Sequence, residues 1–176
     1  ATAKTGVQVG TELAWKIANK RDIPKIIFIS KMEEEYADYN KVLDGLKNAF
    51  GKTIAPFYVP MYDGDKFCGF TSSATVEGLH FLLFFAVAED CRSRGYGSAI
   101  LQAIRKQHPA VTLNIELLDP AAPNYPERLR RFAFYQRNGF HDAHYHVWEV
   151  GGKFRVLSTE LPLDVPRYQE IFRKLT

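Results

Sequence analysis

The residues best suited to chemistry stand together in Ala86-Val87-Ala88-Glu89-Asp90-Cys91-Arg92-Ser93-Arg94-Gly95-Tyr96-Gly97-Ser98. An apolar, strand-like run enters a basic turn that holds two glycines, and a helix-like run leaves it. Such a turn is an anion cradle. The free N–H groups of a first helical turn and the helix dipole both favour a phosphate. Gly95 and Gly97 let the backbone approach a ligand with no Cβ in the way, while Arg92 and Arg94 add charge. A glycine turn between strand and helix can also do nothing but turn, so the reading depends on what flanks it.

Other reactive side chains carry less. His141, His144 and His146 have no carboxylate or thiolate at ligand spacing, so a metal is not expected. Arg128, Arg130, Arg131 and Arg137 share one helix, either as a solvated face or with one of them near a phosphate. Cys91 lies beside the turn without a paired histidine, which argues against a nucleophile.

The elements that must position these residues follow from periodicity. Thr11 is expected to cap a helix with Leu13, Ala14, Ile17 and Ala18 on one side. Lys25–Ser30, with its Ile26-Ile27-Phe28-Ile29 run, reads as a strand buried on both faces. Asp38 caps a helix through Val42, Leu46 and Phe50 that Gly51 stops. Pro56 and Pro60 demote the run from Ala55 to Tyr62 to an edge strand or a connection. Strands are then expected over Gly69–Thr75 and His80–Ala88, and a helix over Gly97–Gln107. In the next strand Val111, Leu113, Ile115 and Leu117 alternate with Thr112, Asn114 and Glu116. A helix ending near Asn138 precedes a hairpin of Tyr145–Val150 and Phe154–Thr159 around Gly151-Gly152. A last helix, capped by Asp164, turns Tyr168, Ile171, Phe172 and Leu175 inward.

With 176 residues, 46% hydrophobic and 24% charged, the chain has the composition of a globular domain and not of a disordered one. No apolar run approaches the roughly 20 residues that span a bilayer, and no secretory signal pattern opens the sequence. Two cysteines are too few for a disulfide framework, so a cytoplasmic location is expected, with no membrane partner. A net charge of +3 gives no basis for a nucleic-acid partner.

The flanking pattern resembles the GNAT superfamily of acyl-CoA-dependent N-acyltransferases. Its signature of Arg or Gln, two residues, Gly, one residue, then Gly or Ala stands here as Arg92-Ser93-Arg94-Gly95-Tyr96-Gly97. Its later signature, an aromatic-tyrosine pair followed by Gly-Phe, is similar to Arg131-Phe132-Ala133-Phe134-Tyr135-Gln136-Arg137-Asn138-Gly139-Phe140. The resemblance covers residues 62–176. It implies an α/β fold: a mixed, mostly antiparallel sheet with flanking helices and a splayed pair of strands. It implies that Arg92, Ser93, Arg94, Gly95, Tyr96, Gly97 and Ser98 hold the pyrophosphate of acetyl-CoA, and that Ala86 and Val87 offer backbone bonds to the pantetheine. A small amine or peptide acceptor would attack the thioester directly, with no metal. Tyr135 aligns with the family's acid toward sulfur. Glu116, on the polar face near the end of the splayed strand, is the candidate base; a solvated glutamate and a water chain remain alternatives. The oligomeric state stays open, a homodimer included.

Residues 4–60 resemble a fragment of the nucleotide-binding domain of elongation factor G, from Gly6-Val7-Gln8-Val9-Gly10-Thr11-Glu12 through Ile23–Met32 and Ala37–Leu43. The family's Asn-Lys-x-Asp stands here as Ser30-Lys31-Met32-Glu33, and no Gly-x-x-x-x-Gly-Lys-Ser/Thr loop is present. The resemblance thus implies a fused gene product in one domain of 176 residues, joined between Phe57 and Lys66. In that reading the first sixty residues supply the first strand and helices of the sheet domain. An inactive CoA-binding module and a translation-factor-derived nucleotide- or ribosome-binding protein are the rival functions.

Overall fold

The structure, a computed structural model, describes every residue except Ala3, Glu33, Lys52, Thr53, Ala55, Val150 and Thr176, together with the side chain of Leu175. The expectations for Glu33, for Ala55 and Val150 as strand ends, and for an inward Leu175 lie outside the described residues. The chain divides into two units, Ala1–Pro60 and Met61–Thr176.

The first unit holds α1 (Val9–Lys20) and α2 (Tyr39–Phe50). Asp38 caps α2 as expected, its carboxylate accepting from the Lys41 N–H at 3.0 Å, and Gly51 ends it. Val42 and Leu46 are buried. Trp15 of α1 stacks on Phe50 of α2 at 4.5 Å, with Lys25 Nζ over the Trp15 ring. Two expectations are corrected. Helix α1 begins at Val9 with Gln8 before it, which leaves Thr11 inside the helix and not at its cap. Lys25–Ser30 is not a sheet strand: Ser30 makes one isolated bridge, to Thr2, and Ile26 and Phe28 are 98% and 80% exposed. A strand needs a neighbour for its N–H and C=O groups, and among the described residues the apolar run 26–29 has a single such contact, the Ala1 amino group donating to the Phe28 carbonyl at 3.4 Å.

The second unit is a sheet with helices on its faces. Its strands are β1 (Val59–Asp63), β2 (Lys66–Val76), β3 (Leu79–Val87), β4 (Ala110–Glu116), β5 (His141–Glu149) and β6 (Gly152–Ser158), in the order β1-β2-β3-β4-β6-β5. Helices α3 (Tyr96–Gln107) and α4 (Tyr125–Arg137) follow β3 and β4, and α5 (Val165–Leu175) comes last. Pairing is antiparallel for β2–β3, β4–β6 and β5–β6 and parallel for β3–β4. This is the mixed, mostly antiparallel sheet expected, with β1 as its proline-marked edge.

Alternation along β4 builds two cores. Val111, Leu113 and Ile115 join Leu101 of α3, Tyr135 of α4, Phe140 and Leu157 on one face. On the other face Val76, Leu79, Phe81 and Val156 pack on Tyr168 and Ile171 of α5. Asp164 stands before α5 and accepts from the Arg167 N–H at 3.1 Å, as its expected capping role requires.

The parallel ladder of β3 and β4 runs only from Leu79–Leu82 opposite Ala110–Leu113. Beyond that, β3 keeps β2 as its partner through Val87, and β4 keeps β6 through Glu116. The divergence coincides with a bulge: Ser72 faces Phe84 and Ser73 faces Leu82, so Leu83 is an extra residue. A bulge bends its strand and increases its twist, which swings the end of β3 away from β4.

His80 lies buried at the paired end of β3. Its ring stacks on His108 at 3.9 Å, and its Nδ1 shares a hydrogen bond with Thr75 Oγ1 at 2.8 Å. Burial first, and the His108 charge second, lower its pKa to about 4. An unfolded histidine titrates near 6.5, so the stability is complete above about pH 6.5 and is lost as pH falls toward 4. The full loss is about 3 kcal/mol. Chemical denaturation at stepped pH should show this decline in the intact protein, and His80→Gln should flatten it.

Candidate active site

Where β3 and β4 part, a cleft of about 710 Å³ opens. Leu83, Phe84 and Phe85 of β3 line one side, and Asn114, Ile115 and Glu116 of β4 line the other. Arg128, Arg131 and Tyr135 come from α4, and Trp148, Lys153 and Phe154 from the β5–β6 hairpin. Positions 128, 131 and 135 share one helical face by their i, i+3, i+7 spacing, which is why one helix supplies all three.

Tyr135 is buried between Phe134 and Phe140, with ring centroids at 5.3 and 5.6 Å. Burial pushes its phenol up to about 12, against a small opposing effect of Arg131. The hydroxyl is therefore a proton donor throughout the neutral range. No protein group among the described residues hydrogen-bonds it.

Glu116 also reaches the cleft, but it is engaged on all sides. Arg131 Nη1 donates to its Oε2. Asn124 donates to Oε1 at 3.2 Å, and Arg128 Nη2 stands 3.6 Å from the same oxygen. Arg128 further donates to the Leu117 carbonyl at 2.9 Å and to Asn124 Oδ1 at 2.8 Å. Glu116 thus fastens the start of α4 to the end of β4. That engagement suits an anchoring anion better than a proton acceptor.

The glycine turn follows β3 through a short 3-10 turn, Glu89–Cys91. Gly95 caps α3 in the left-handed region (φ +86), and Ser93 also has positive φ. A Cβ at Gly97 would lie 3.1 Å from the Phe134 ring, so glycine there lets α3 pack close to the helix that bears Tyr135. The N–H groups of Tyr96, Gly97 and Ser98 make no hydrogen bond within the protein among the described residues. Two contacts pin the turn from below: the Tyr96 hydroxyl donates to Asp63 at 2.6 Å, and Lys66 pairs with Asp90 at 2.8 Å. Arg92, Ser93, Arg94 and Gly95 are exposed. The edge of β3 at Ala86 has no β4 neighbour, but the Val87 carbonyl already accepts from Arg92 Nε at 3.3 Å. Cys91 is fully buried with its thiol toward the Phe67 carbonyl.

The structure therefore brings Tyr135 and Glu116 together in one cleft and sets residues 92–98 at the turn that ends β3. Asn114, Arg128, Arg131, Trp148 and Lys153 are cleft residues that the sequence did not reveal. For the two arginines the helical spacing to Tyr135 was the available signal. For Trp148 and Lys153 only the hairpin's position supplies it.

Comparison with known proteins fits this geometry. The model of the acetyltransferase (GNAT) domain family matches residues 54–142, and the chain belongs to that family. Among solved structures it is similar to a protein described as a GNAT-family acetyltransferase from Bacteroides thetaiotaomicron. That match has 20% identity, covers 97% of this chain and 94% of that one, and has a TM-score of 0.51. A Bacillus subtilis acetyltransferase in complex with CoA matches at 18% identity over 59% of this chain and 76% of its own, with a TM-score of 0.43. An N-acetyltransferase from Staphylococcus aureus Mu50 matches at 12% identity over 70% and 82%, with a TM-score of 0.47.

Since Tyr135 packs by its ring and its hydroxyl has no partner among the described residues, Tyr135→Phe should change unfolding free energy by less than about 1 kcal/mol. Tyr135→Ala should cost about 3–5 kcal/mol, the usual penalty for emptying an aromatic core position. Paired urea denaturation curves check both.

Proposed function

We propose that the protein transfers an acetyl group from acetyl-CoA to a primary amine by direct attack on the thioester. The observation that carries the proposal is the buried Tyr135, whose hydroxyl has no hydrogen-bond partner among the described residues, in a cleft between two strand ends that lack each other as neighbours. In this reading the unused amides of Tyr96, Gly97 and Ser98, with Arg92, Ser93, Arg94 and Gly95, hold the pyrophosphate at the N-terminus of α3. The pantetheine lies along the open edge of β3 at Ala86 and Val87. Tyr135 gives its proton to sulfur as the C–S bond breaks. Glu116, expected as the base, acts instead by holding α4 and its tyrosine against β4.

Residues 4–60 are then a segment of separate ancestry, similar to elongation factor G and joined by gene fusion near residues 57–66. They form part of the same functional protein, which we place in the cytoplasm. With Ser30 in place of asparagine and no phosphate loop, that segment has no guanine-nucleotide chemistry left to perform.

Thermal unfolding with millimolar CoA tests the binding half: a ligand selective for the native state raises Tm by mass action. Gly95→Val should abolish the shift, because a β-branched residue is strained at the positive φ that Gly95 holds (+86) and would have to re-form the turn. GTP should leave Tm unchanged. Thiol release from acetyl-CoA with a panel of amino acids, polyamines and peptides tests the catalytic half. Tyr135→Phe should lower turnover by roughly 10²-fold or more with CoA affinity retained. A Tm indifferent to CoA defeats the proposal; CoA binding without thiol release for any amine leaves a CoA-binding module.

A further inference from the structure

The acceptor half of that reaction needs a seat in the cleft, and the β5–β6 hairpin supplies one. Leu157 and Arg155 of β6 pair with Leu113 and Ile115 of β4, and Leu113, Ile115 and Leu157 pack in the cluster that holds Tyr135. Side chains alternate along a strand, so Lys153, two residues before Arg155, lies on that same face. Trp148 stands directly across from Lys153 on β5 and shares the face with it. The ladder between β4 and β6 ends at Glu116 and Phe154, which carries Trp148 and Lys153 past the end of β4. Both line the cleft. Trp148 is 79% exposed there, a large apolar ring on the Tyr135 side of the sheet, left beyond the packed core.

Charge singles out Lys153. Arg128 and Arg131 already share Glu116, and Arg155 donates to Asp142 at 2.7 Å. Lys153 is exposed and has no ion-pair partner among the described residues. The charged residues described as lining the cleft are Arg128, Arg131 and Lys153 against Glu116 and Asp119, an excess of one positive charge. Asp119 turns one oxygen back to its own loop, accepting from the Ala121 N–H at 2.9 Å. Glu149 pairs with Gly152 and so projects from the opposite face of the hairpin, where it accepts from Asn114 Nδ2. A multiply charged polyamine would therefore enter against the charge of the cleft. An ammonium over the Trp148 ring would likewise stand beside the Lys153 charge.

We propose that Lys153 and Trp148 form the acceptor subsite: Lys153 pairs with a carboxylate of the acceptor, and Trp148 covers its apolar side chain. The acceptor class is then a free amino acid with an apolar side chain. The inference rests on the acetyl-transfer reading. The ammonium group of the amino acid gives one proton to water. The neutral nitrogen forms the C–N bond, the C–S electron pair moves to sulfur, and Tyr135 protonates the thiolate. The second proton on nitrogen returns through water to the Tyr135 phenolate. The products are an N-acetyl amino acid, the CoA thiol and one proton. The carboxylate keeps its charge throughout, so Lys153 has a partner in substrate and product alike.

The experiment uses the full chain with acetyl-CoA and, as acceptors, leucine, phenylalanine, glycine, leucinamide and putrescine. Leucine and phenylalanine should exceed leucinamide and putrescine in kcat/KM by about tenfold or more, the worth of one hydrogen bond to a charged group. Added salt should shrink that margin, because an exposed ion pair is screened. Lys153→Gln should collapse the preference for leucine over leucinamide to about twofold or less, with CoA affinity and Tm within error of the wild type. Lys153→Arg, which keeps a cation for the carboxylate, should retain most of the preference. Trp148→Ala should raise KM for leucine and phenylalanine more than for glycine. Lys153→Gln acetylating leucine with wild-type KM overturns the inference and leaves the acetyl-transfer reading standing. So does a wild type that turns over leucinamide or putrescine as well as leucine. A wild-type protein whose Tm responds to CoA but which acetylates none of these amines overturns the inference together with the acceptor half of that reading. A protein indifferent to CoA overturns the reading itself.

Discussion

Everything that gives this protein a site depends on how little of β3 pairs with β4. Four residues of each strand share a parallel ladder, from Leu79–Leu82 and Ala110–Leu113, and then each strand continues with a different neighbour. A sheet normally satisfies its backbone groups by unbroken pairing. Here the Leu83 bulge bends β3 away, and the far ends of both strands present backbone edges to a cleft. The paired ends are held by side chains on both faces, with Leu82, Val111 and Leu113 toward α3 and α4 and Leu79 and Phe81 toward α5. The cleft can stay open because its root is closed.

The helices fix what faces the opening. α4 is fastened to β4 by Glu116, which draws Arg128 and Arg131 together, and Tyr135 follows on the same helical face. A partly buried carboxylate shared by two guanidinium groups keeps one geometry because moving either arginine leaves charge uncompensated. On the opposite face α5 reaches the same strand through Tyr168 and Asn114. The strand that borders the cleft is thus gripped from both sides, once by an ion-pair cluster and once by a buried phenol.

The turn after β3 shows the same economy of means. Gly95 accepts the left-handed conformation that starts α3, and Gly97 permits Phe134 to lie against that helix. The turn that exposes its amides and the helix that presents Tyr135 are therefore in direct contact. Asp63 and Lys66, at the turn between β1 and β2, hold Tyr96 and Asp90 from the other direction.

Much of this was legible in the residue pattern, because periodicity and turn chemistry are local. The β2–β3 hairpin, the α3 start at the glycine turn, the two-faced β4, the Asp38 cap and the Gly151-Gly152 hairpin are each written in a few neighbouring residues, and so are the two motifs that mark the family. What the sequence could not supply was partnership. The Ile26–Ile29 run has the composition of a buried strand, yet a strand exists only where another backbone pairs along it, and among the described residues this run meets only the chain's first residue, at the Phe28 carbonyl. Glu116 reads as a free glutamate on a polar face until Arg128 and Arg131 of α4, the second of them 15 residues along the chain, close on it. Asn114 and Glu149 are 35 residues apart, and Asn114 and Tyr168 are 54 apart. Local pattern decides which face of an element is apolar; only the assembled sheet decides which charges are neutralised and which remain free to act.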